Sequence, residues 1–132
     1  MNGWKERIQK EINQKIFNIE LANPDKFKEY LRTKLLELFR DESNYNLVGL
    51  YESDAGMELR VLNRIFKVEF VNETTMNIHV GVSTNLVFLG EISISLNKDV
   101  GVYFREYNTF GLSENKLMFT EDLLDRILSK SF

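Results

Sequence analysis

Apolar residues in the first 41 positions recur with the period of an α-helix. Residues 3–20 place a narrow apolar stripe within about 120° of a helical wheel, which predicts an amphipathic helix. The stripe consists of Trp4, Ile8, Ile12, Ile16 and Ile19. A second helix is predicted over 24–41, where apolar residues follow Asn23-Pro24-Asp25 at spacings of three and four. The short connection makes residues 3–41 a predicted helical hairpin.

After residue 46 the apolar period changes to two, which is typical of β-strands with one buried face. The alternating segments are 57–62, 66–70, 76–82, 92–96 and 100–104, preceded by a short strand at 47–52. Residues 85–89 differ, since a continuous apolar run predicts burial on both faces or a short buried helix. The predicted core face carries Phe66, Val68, Phe70, Ile78, Val80 and Val82.

The chain ends in a predicted short helix over 120–130. Thr120 is a suitable N-cap, and the acidic residues Glu121 and Asp122 favour the positive end of a helix. The stretch 106–119, between the last strand and this helix, is expected to be irregular.

Together these elements predict an α+β fold, because the helices are segregated from the strands and no connection is long enough for a crossover helix. The expected architecture is a single domain over 1–132. It has two N-terminal helices, a curved antiparallel meander of five to six strands over 46–105, and one short C-terminal helix. Glycines inside the strands, Gly49, Gly81 and Gly101, favour the curvature.

The amino-acid composition excludes several classes of protein and of binding site. The chain has no cysteine, which excludes a disulfide scaffold and a thiolate metal site. The net charge is −3 and the basic residues interleave with acidic ones, so no nucleic-acid partner is expected. No stretch approaches the roughly 20 apolar residues of a membrane span, and the N-terminus is charged throughout. We therefore expect a cytoplasmic protein without a membrane partner.

The chain is also rich in Asn, Lys and Ile, with one proline. This bias often accompanies AT-rich genomes and suggests a low-GC bacterium, a mobile element or a viral protein.

Few residues of the predicted sheet are of types that serve in catalysis or metal binding. A hairpin at 72–75 would bring Glu69 toward His79, the single histidine. Such a pair serves either as a general base or as an exposed cross-strand contact. Glu52 and Asp54 are close in sequence. Paired carboxylates bind Mg²⁺ or catalyse glycoside hydrolysis, but acidic residues are also common beside turns. Since no phosphate-binding glycine pattern occurs either, we assign no catalytic residue, no cofactor and no metal.

The second face of the predicted sheet is unusually apolar. By alternation it carries more apolar side chains than a water-exposed face should. An aromatic stretch with a neighbouring arginine has the composition either of a binding hot spot or of ordinary core and loop anchors. The predicted partner-binding residues are Leu62, Ile65, Val71, Val87, Leu89, Tyr103, Arg105, Tyr107 and Phe110. Helix 1, a second copy of the chain or another protein would cover this face.

The leading functional hypothesis is a small, non-enzymatic module that binds another protein and masks or inhibits it, as immunity proteins, antitoxins and phage-borne anti-defence inhibitors do. One alternative is a small-molecule-binding or enzymatic cup on the concave sheet face, using Glu69, His79 or Arg60. A second alternative is a structural subunit of a homo-oligomer, such as a homodimer.

Overall fold

The computed structural model describes residues 3–38 and 47–132. The helices are α1 (Gly3–Glu20), α2 (Pro24–Leu38) and α3 (Glu121–Ser131). The strands are β1 (Val48–Ser53), β2 (Gly56–Val61), β3 (Arg64–Phe70), β4 (Thr75–Val82), β5 (Asn85–Ile94), β6 (Val102–Asn108), β7 (Gly111–Leu112) and β8 (Leu117–Met118). Within these residues two helices precede a curved, open antiparallel sheet and one follows it, so the predicted α+β fold is confirmed.

The sheet is a meander in which each strand from β1 to β7 pairs with the next, and β8 pairs with β6. The described residues thus contain up to eight strands, more than the five to six predicted. The additional strands lie in the stretch 106–119, for which the sequence predicts irregular structure. Strands of two residues are too short for an alternating pattern to reveal them. Residues 39–41 of the predicted second helix lie outside the described residues.

One face of the sheet packs against α2 and α3 and forms the core. Core residues from the helices are Phe27, Leu31, Leu35, Leu123, Leu124 and Ile127. Core residues from the sheet are Met57, Leu59, Phe66, Val68, Met76, Ile78, Ile92, Ile94, Val102 and Phe104. The predicted core face is confirmed at Phe66, Val68 and Ile78, whereas Val82 is exposed near the strand end.

Side-chain caps begin the two core helices as predicted. The Oδ1 of Asn23 accepts from the backbone N–H of Asp25 at 3.0 Å and of Lys26 at 3.1 Å, ahead of α2. The Oγ1 of Thr120 accepts from the backbone N–H of Leu123 at 3.1 Å, ahead of α3. Each cap satisfies backbone donors that a helix start leaves without an intrahelical partner.

Helix α1 is attached to the rest of the protein at its C-terminal end. Asn18 is completely buried, and its Nδ2 donates to the carbonyl oxygens of Val102 at 2.7 Å and Phe119 at 3.0 Å. Its Oδ1 accepts from the backbone N–H of Val102 at 3.0 Å. Beside it in the chain, the Phe17 ring meets the Tyr30 ring edge-on, with centroids 5.2 Å apart. By contrast, every residue of 3–13 is exposed. No helix among the described residues, α1 included, has the length and apolar character to cross a bilayer.

The Tyr30 hydroxyl is a buried polar group without a hydrogen-bond partner among the described residues. Burial raises the pKa of this hydroxyl well above its ordinary value, and the carboxylates of Glu121, Asp125 and Glu37 raise it further. The folded chain therefore keeps the Tyr30 proton at a pH where the unfolded chain, with an ordinary pKa of about 10, releases it. The resulting stability is complete below about pH 10 and is lost as the pH rises further.

We expect Tyr30→Phe to leave the free energy of unfolding at pH 7 unchanged or to raise it by about 1 kcal/mol, because it removes an unpaired buried hydroxyl. The variant should also reduce the loss of stability above pH 10. Urea unfolding at pH 7 and at several alkaline pH values would measure both effects. Tyr51→Phe, at an exposed tyrosine, is the matched control. A Tyr30→Phe curve that declines as steeply as that of Tyr51→Phe would contradict the assignment.

Candidate functional site

The sheet face that points away from α2 and α3, called here the outer face, carries the candidate site. Strand register defines its members, because directly paired residues of adjacent strands share a face. Across its middle, Lys67 of β3 pairs with His79 of β4, and His79 pairs with Phe88 of β5. On β6 the outer face carries Tyr103, Arg105 and Tyr107, with Arg105 opposite Glu91 and Tyr103 opposite Ser93.

A β-bulge in β5 decides which apolar residues reach the outer face. Ile78 pairs with Gly90, but its neighbour His79 pairs with Phe88, so Leu89 is the extra residue. A bulge of one residue reverses which face the following positions occupy. Leu86 and Phe88 therefore point to the outer face.

Two predicted face assignments are wrong because of this bulge. Leu89 packs against the core, and Val87 pairs with Val80, whose side chain also contacts the core. Strict alternation along the strand predicts both Val87 and Leu89 on the outer face. The prediction that 85–89 is buried on both faces or helical is also wrong, since the segment is a bulged strand in which Val87 is exposed.

Three rings form a row across β4, β5 and β6. The centroids of His79 and Phe88 are 5.4 Å apart, and those of Phe88 and Tyr107 are 5.3 Å apart, with the ring planes tilted by 44° and 51°. These separations lie within the usual range of favourable aromatic contacts. The aromatic row, defined as His79, Phe88 and Tyr107, is therefore a packed unit. Its Tyr107 end is exposed.

A partly buried ion pair lies on the same face. Arg105 Nη2 donates to Glu91 Oε1 at 2.9 Å across β5 and β6, and the Ser93 hydroxyl donates to the same oxygen at 3.2 Å. Because both charged side chains are mostly shielded from water, this pair is worth more than a surface pair, and its orientation is better defined.

Two nitrogens on the outer face are buried without a partner among the described residues: His79 Nδ1 and Arg105 Nε. Buried polar atoms are hydrogen-bonded in most structures, since an unpaired one costs about 1–3 kcal/mol. Both nitrogens belong to residues of, or beside, the aromatic row. The outer face therefore combines apolar rings with unused hydrogen-bonding capacity.

Phe110 lies in the tight turn between β6 and β7, where β6 ends. Asn108 pairs with Gly111, so Thr109 and Phe110 form a two-residue connection between β6 and β7. The Asn108 Oδ1 accepts from the Phe110 backbone N–H at 2.9 Å, which orders the turn. The Phe110 side chain is 100% exposed. A short ordered turn thus holds a whole phenyl ring in water, just beyond Tyr107 in the chain.

The other predicted partner-binding residues are dispersed. Ile65 lies on the outer face but is buried, and Tyr103 is half-buried there opposite Met118. Leu62 is exposed in the β2–β3 turn and Val71 at the far end of β3, so they occupy opposite ends of the sheet. The structure brings together Ile65, Tyr103, Arg105 and Tyr107 on one face and places Phe110 in the turn that follows β6.

Sequence reasoning missed Leu86 and Phe88 as outer-face residues. A signal was present in Gly90, because glycine inside a strand often marks a bulge or a close backbone approach. In the structure a Cβ at this position would lie 2.6 Å from the Phe104 ring. The glycine is thus required where β5 changes its facing pattern.

The predicted Glu69–His79 pair is absent. Strand register places Glu69 opposite Asn77 and His79 opposite Lys67. The partner of Glu69 is thus displaced along β4 by two residues from the expected His79. Glu52 lies 3.6 Å from Arg32 in an ion pair with α2. Within residues 3–38 and 47–132 no group of three or more His, Asp or Glu side chains is arranged to hold a metal ion.

A second unusual surface lies on α1. The α1 stripe, defined as Trp4, Ile8, Ile12 and Ile16, is between 43% and 57% exposed along its whole length. Polar residues on another side of the helix, such as Gln9 and Asn13, line a groove of about 550 Å³ whose other wall is the N-terminus of α3. The stripe therefore does not cover the outer face of the sheet. Helix 1 was one of the three covers that the sequence allowed for that face.

Comparison of the chain with protein-family models, with curated proteins and with solved structures gave no match.

Proposed function

We propose that this chain is a non-enzymatic protein-binding module that masks or inhibits another protein, of the immunity-protein, antitoxin or anti-defence type. The observation that carries the proposal is the aromatic row together with the fully exposed Phe110, which follows Tyr107 closely in the chain. Aromatic side chains on a firm scaffold supply a large contact area at little entropic cost, and they dominate binding hot spots with arginine.

The polar groups of the outer face support the same function. Arg105 is held by Glu91 and keeps its Nε unpaired, and His79 Nδ1 is unpaired as well. Both nitrogens have almost no exposed surface, so a protein partner would contact the exposed remainder of these side chains while it covers the rings. The arrangement matches the common interface pattern of an apolar centre with polar groups around it.

The alternative enzymatic or ligand-binding cup receives less support. Its three residues lie on three different strands, where Arg60 donates to Glu58 at 2.8 Å and Glu69 faces Asn77. Because Arg60 is held by Glu58 and register does not place Glu69 opposite His79, the three side chains do not form the converging set that acid–base chemistry requires.

The proposal includes a cytoplasmic location and an origin in a mobile element or virus. The absence of cysteine supports the location, and the high content of Asn, Lys and Ile, which often accompanies AT-rich genomes, supports the origin.

The test is a partner-capture experiment with a matched pair of variants. Tagged wild-type chain, Phe110→Asp and Leu96→Asp are each incubated with lysate of the native host, and bound proteins are quantified by mass spectrometry. Leu96 is a suitable control because it is 72% exposed and also lies in a turn, the one after β5. Both substitutions are at exposed positions, so neither should change the unfolding midpoint.

We expect wild type and Leu96→Asp to retain one stoichiometric protein that Phe110→Asp loses, since replacing an aromatic contact residue with a charge weakens binding by about tenfold or more. Failure to recover any stoichiometric partner would contradict the proposed function. Equal retention by both variants would contradict the assignment of the surface.

A further inference from the structure

We infer that the α1 stripe is the contact surface between two copies of this chain, which pair through α1 in an antiparallel, two-fold symmetric arrangement. The inference concerns a different surface from the proposed function and does not depend on it. It starts from the orientation of α1, which presents Trp4, Ile8, Ile12 and Ile16 to solvent.

This orientation departs from the usual behaviour of an amphipathic helix, because residues 3–13 are exposed all round and the apolar stripe is not turned toward the core. In a monomeric protein such a helix turns its apolar face to the core and its polar face to water. Here the polar residues Lys10, Asn13 and Gln14 face the groove beside α3, while Asn18 holds the helix end in place. The buried amide leaves α1 little freedom to rotate, so the stripe stays outward.

The spacing of the stripe suits packing against itself. Its residues are each four positions apart, so they form one ridge of the kind that packs between the ridges of a second helix. Two such ridges pack most commonly at a crossing angle of about −50°. A helix identical to α1 therefore has the required shape.

The stagger that packs the stripes also pairs charges. Interdigitation places the two-fold axis level with Gln9, so that Ile8 of one copy lies between Ile8 and Ile12 of the second. At the same stagger Arg7 comes level with the second copy's Glu11, and by symmetry Glu11 comes level with the second Arg7. Arg7 and Glu11 lie on the helical row beside the stripe and, among the described residues, neither side chain is in a hydrogen bond or ion pair. A two-fold contact would thus contain two Arg–Glu pairs.

The area is sufficient for a dimer at the weak end of the specific range. With its four residues 43–57% exposed, the stripe forms an apolar patch on the order of several hundred Å² per copy, the size range of a monomer's largest patch, which is often functional. A specific interface needs roughly 1,000 Å² in total, and the aliphatic stems of the flanking rows supply the remainder. A dissociation constant of micromolar order is expected.

Sedimentation velocity from low-micromolar to near-millimolar concentration tests the inference. The wild-type chain should pass from monomer to dimer over this range. Its single tryptophan, Trp4, should show a concentration-dependent blue shift of emission as the stripe is buried. Ile12→Asp should weaken the dimer by at least about a hundredfold, because it places two charges at the centre of the contact.

A charge swap distinguishes the proposed arrangement from nonspecific association. Arg7→Glu and Glu11→Arg should each weaken the dimer about tenfold or more, and the double variant should restore it to within a few-fold of wild type. Lys10→Glu is the control, since Lys10 lines the groove on the other side of α1 and should leave the dimer unchanged.

Several results would overturn the inference. They are a wild-type chain that stays monomeric at the highest concentration, a double variant no better than its parents, and Trp4 burial by anionic vesicles while the chain remains monomeric. Phe110→Asp should not affect dimerisation, so failure of this inference and failure of the proposed function give different results.

Discussion

Asn18→Ala is expected to lower the free energy of unfolding by about 3 kcal/mol, an effect large enough to unfold a chain of ordinary stability at modest urea concentration. The amide joins α1 to β6 and to the residue that precedes the Thr120 cap, through three hydrogen bonds of 2.7–3.0 Å. The Val102 carbonyl would keep a second donor, the Phe119 backbone N–H at 2.9 Å. The Val102 N–H and the Phe119 carbonyl would be left buried and unpaired.

Urea unfolding followed by circular dichroism measures this loss. Asn13→Ala is the matched control, because Asn13 is an exposed amide on the same helix that bonds only Gln9 among the described residues, at 3.0 Å. Its effect should stay within about 0.5 kcal/mol. Asn18→Asp should be no better than Asn18→Ala, since a carboxylate cannot donate to the two carbonyls. A loss below about 1 kcal/mol for Asn18→Ala would show that the amide does not anchor α1.

Gly101→Ala is expected to destabilise the protein by about 3 kcal/mol, for two separable reasons. The residue has φ +83°, a conformation that costs a side-chain-bearing residue about 1–2 kcal/mol. In addition, a Cβ at Gly101 would overlap the Oδ1 of Asn18 and lie 3.0 Å from its Cγ. The added methyl would therefore displace the Asn18 amide and weaken, without abolishing, the hydrogen bonds that anchor α1.

Two comparisons separate these causes in the same unfolding measurement. Gly111 has φ +125°, and a Cβ added there would meet nothing within 4 Å, so Gly111→Ala should show the cost of backbone strain alone. In an Asn18→Ala background, Gly101→Ala should also cost only the strain, because the overlapping amide is gone. A double-mutant cycle should accordingly give a coupling energy of about 1–2 kcal/mol. Strictly additive effects would contradict the steric explanation.

Local patterns predicted the elements of this fold well where they were long. The helical period over 3–20, the Asn23 cap and the Thr120 cap all correspond to observed features. The alternating segments became β2 to β6 because one face of each strand must be buried. The absence of crossover helices was sufficient to predict an antiparallel meander.

The candidate site was less accessible to sequence reasoning. Alternation assigned Ile65 and Tyr103 to the non-core face correctly, because no bulge interrupts β3 or β6 near them. It failed at Val87 and Leu89, where one extra residue in β5 reverses the facing pattern. Strand register depends on hydrogen bonds between segments that are distant in the chain, so a local pattern cannot determine it.

The sequence by itself determined the α+β class, the order of the helices and of strands β1 to β6, the caps of α2 and α3, and the apolar stripe of residues 4–16 as a helix face. These features depend on propensity, period and neighbouring residues, which are local. Only the tertiary structure decided the orientation of the stripe and the composition of the outer face. A stripe at helical spacing usually marks a core contact, but α1 is held by one buried asparagine in an orientation that exposes it. Which surface of an element meets the core depends on contacts with segments distant in the chain, and these exist only once the chain has folded.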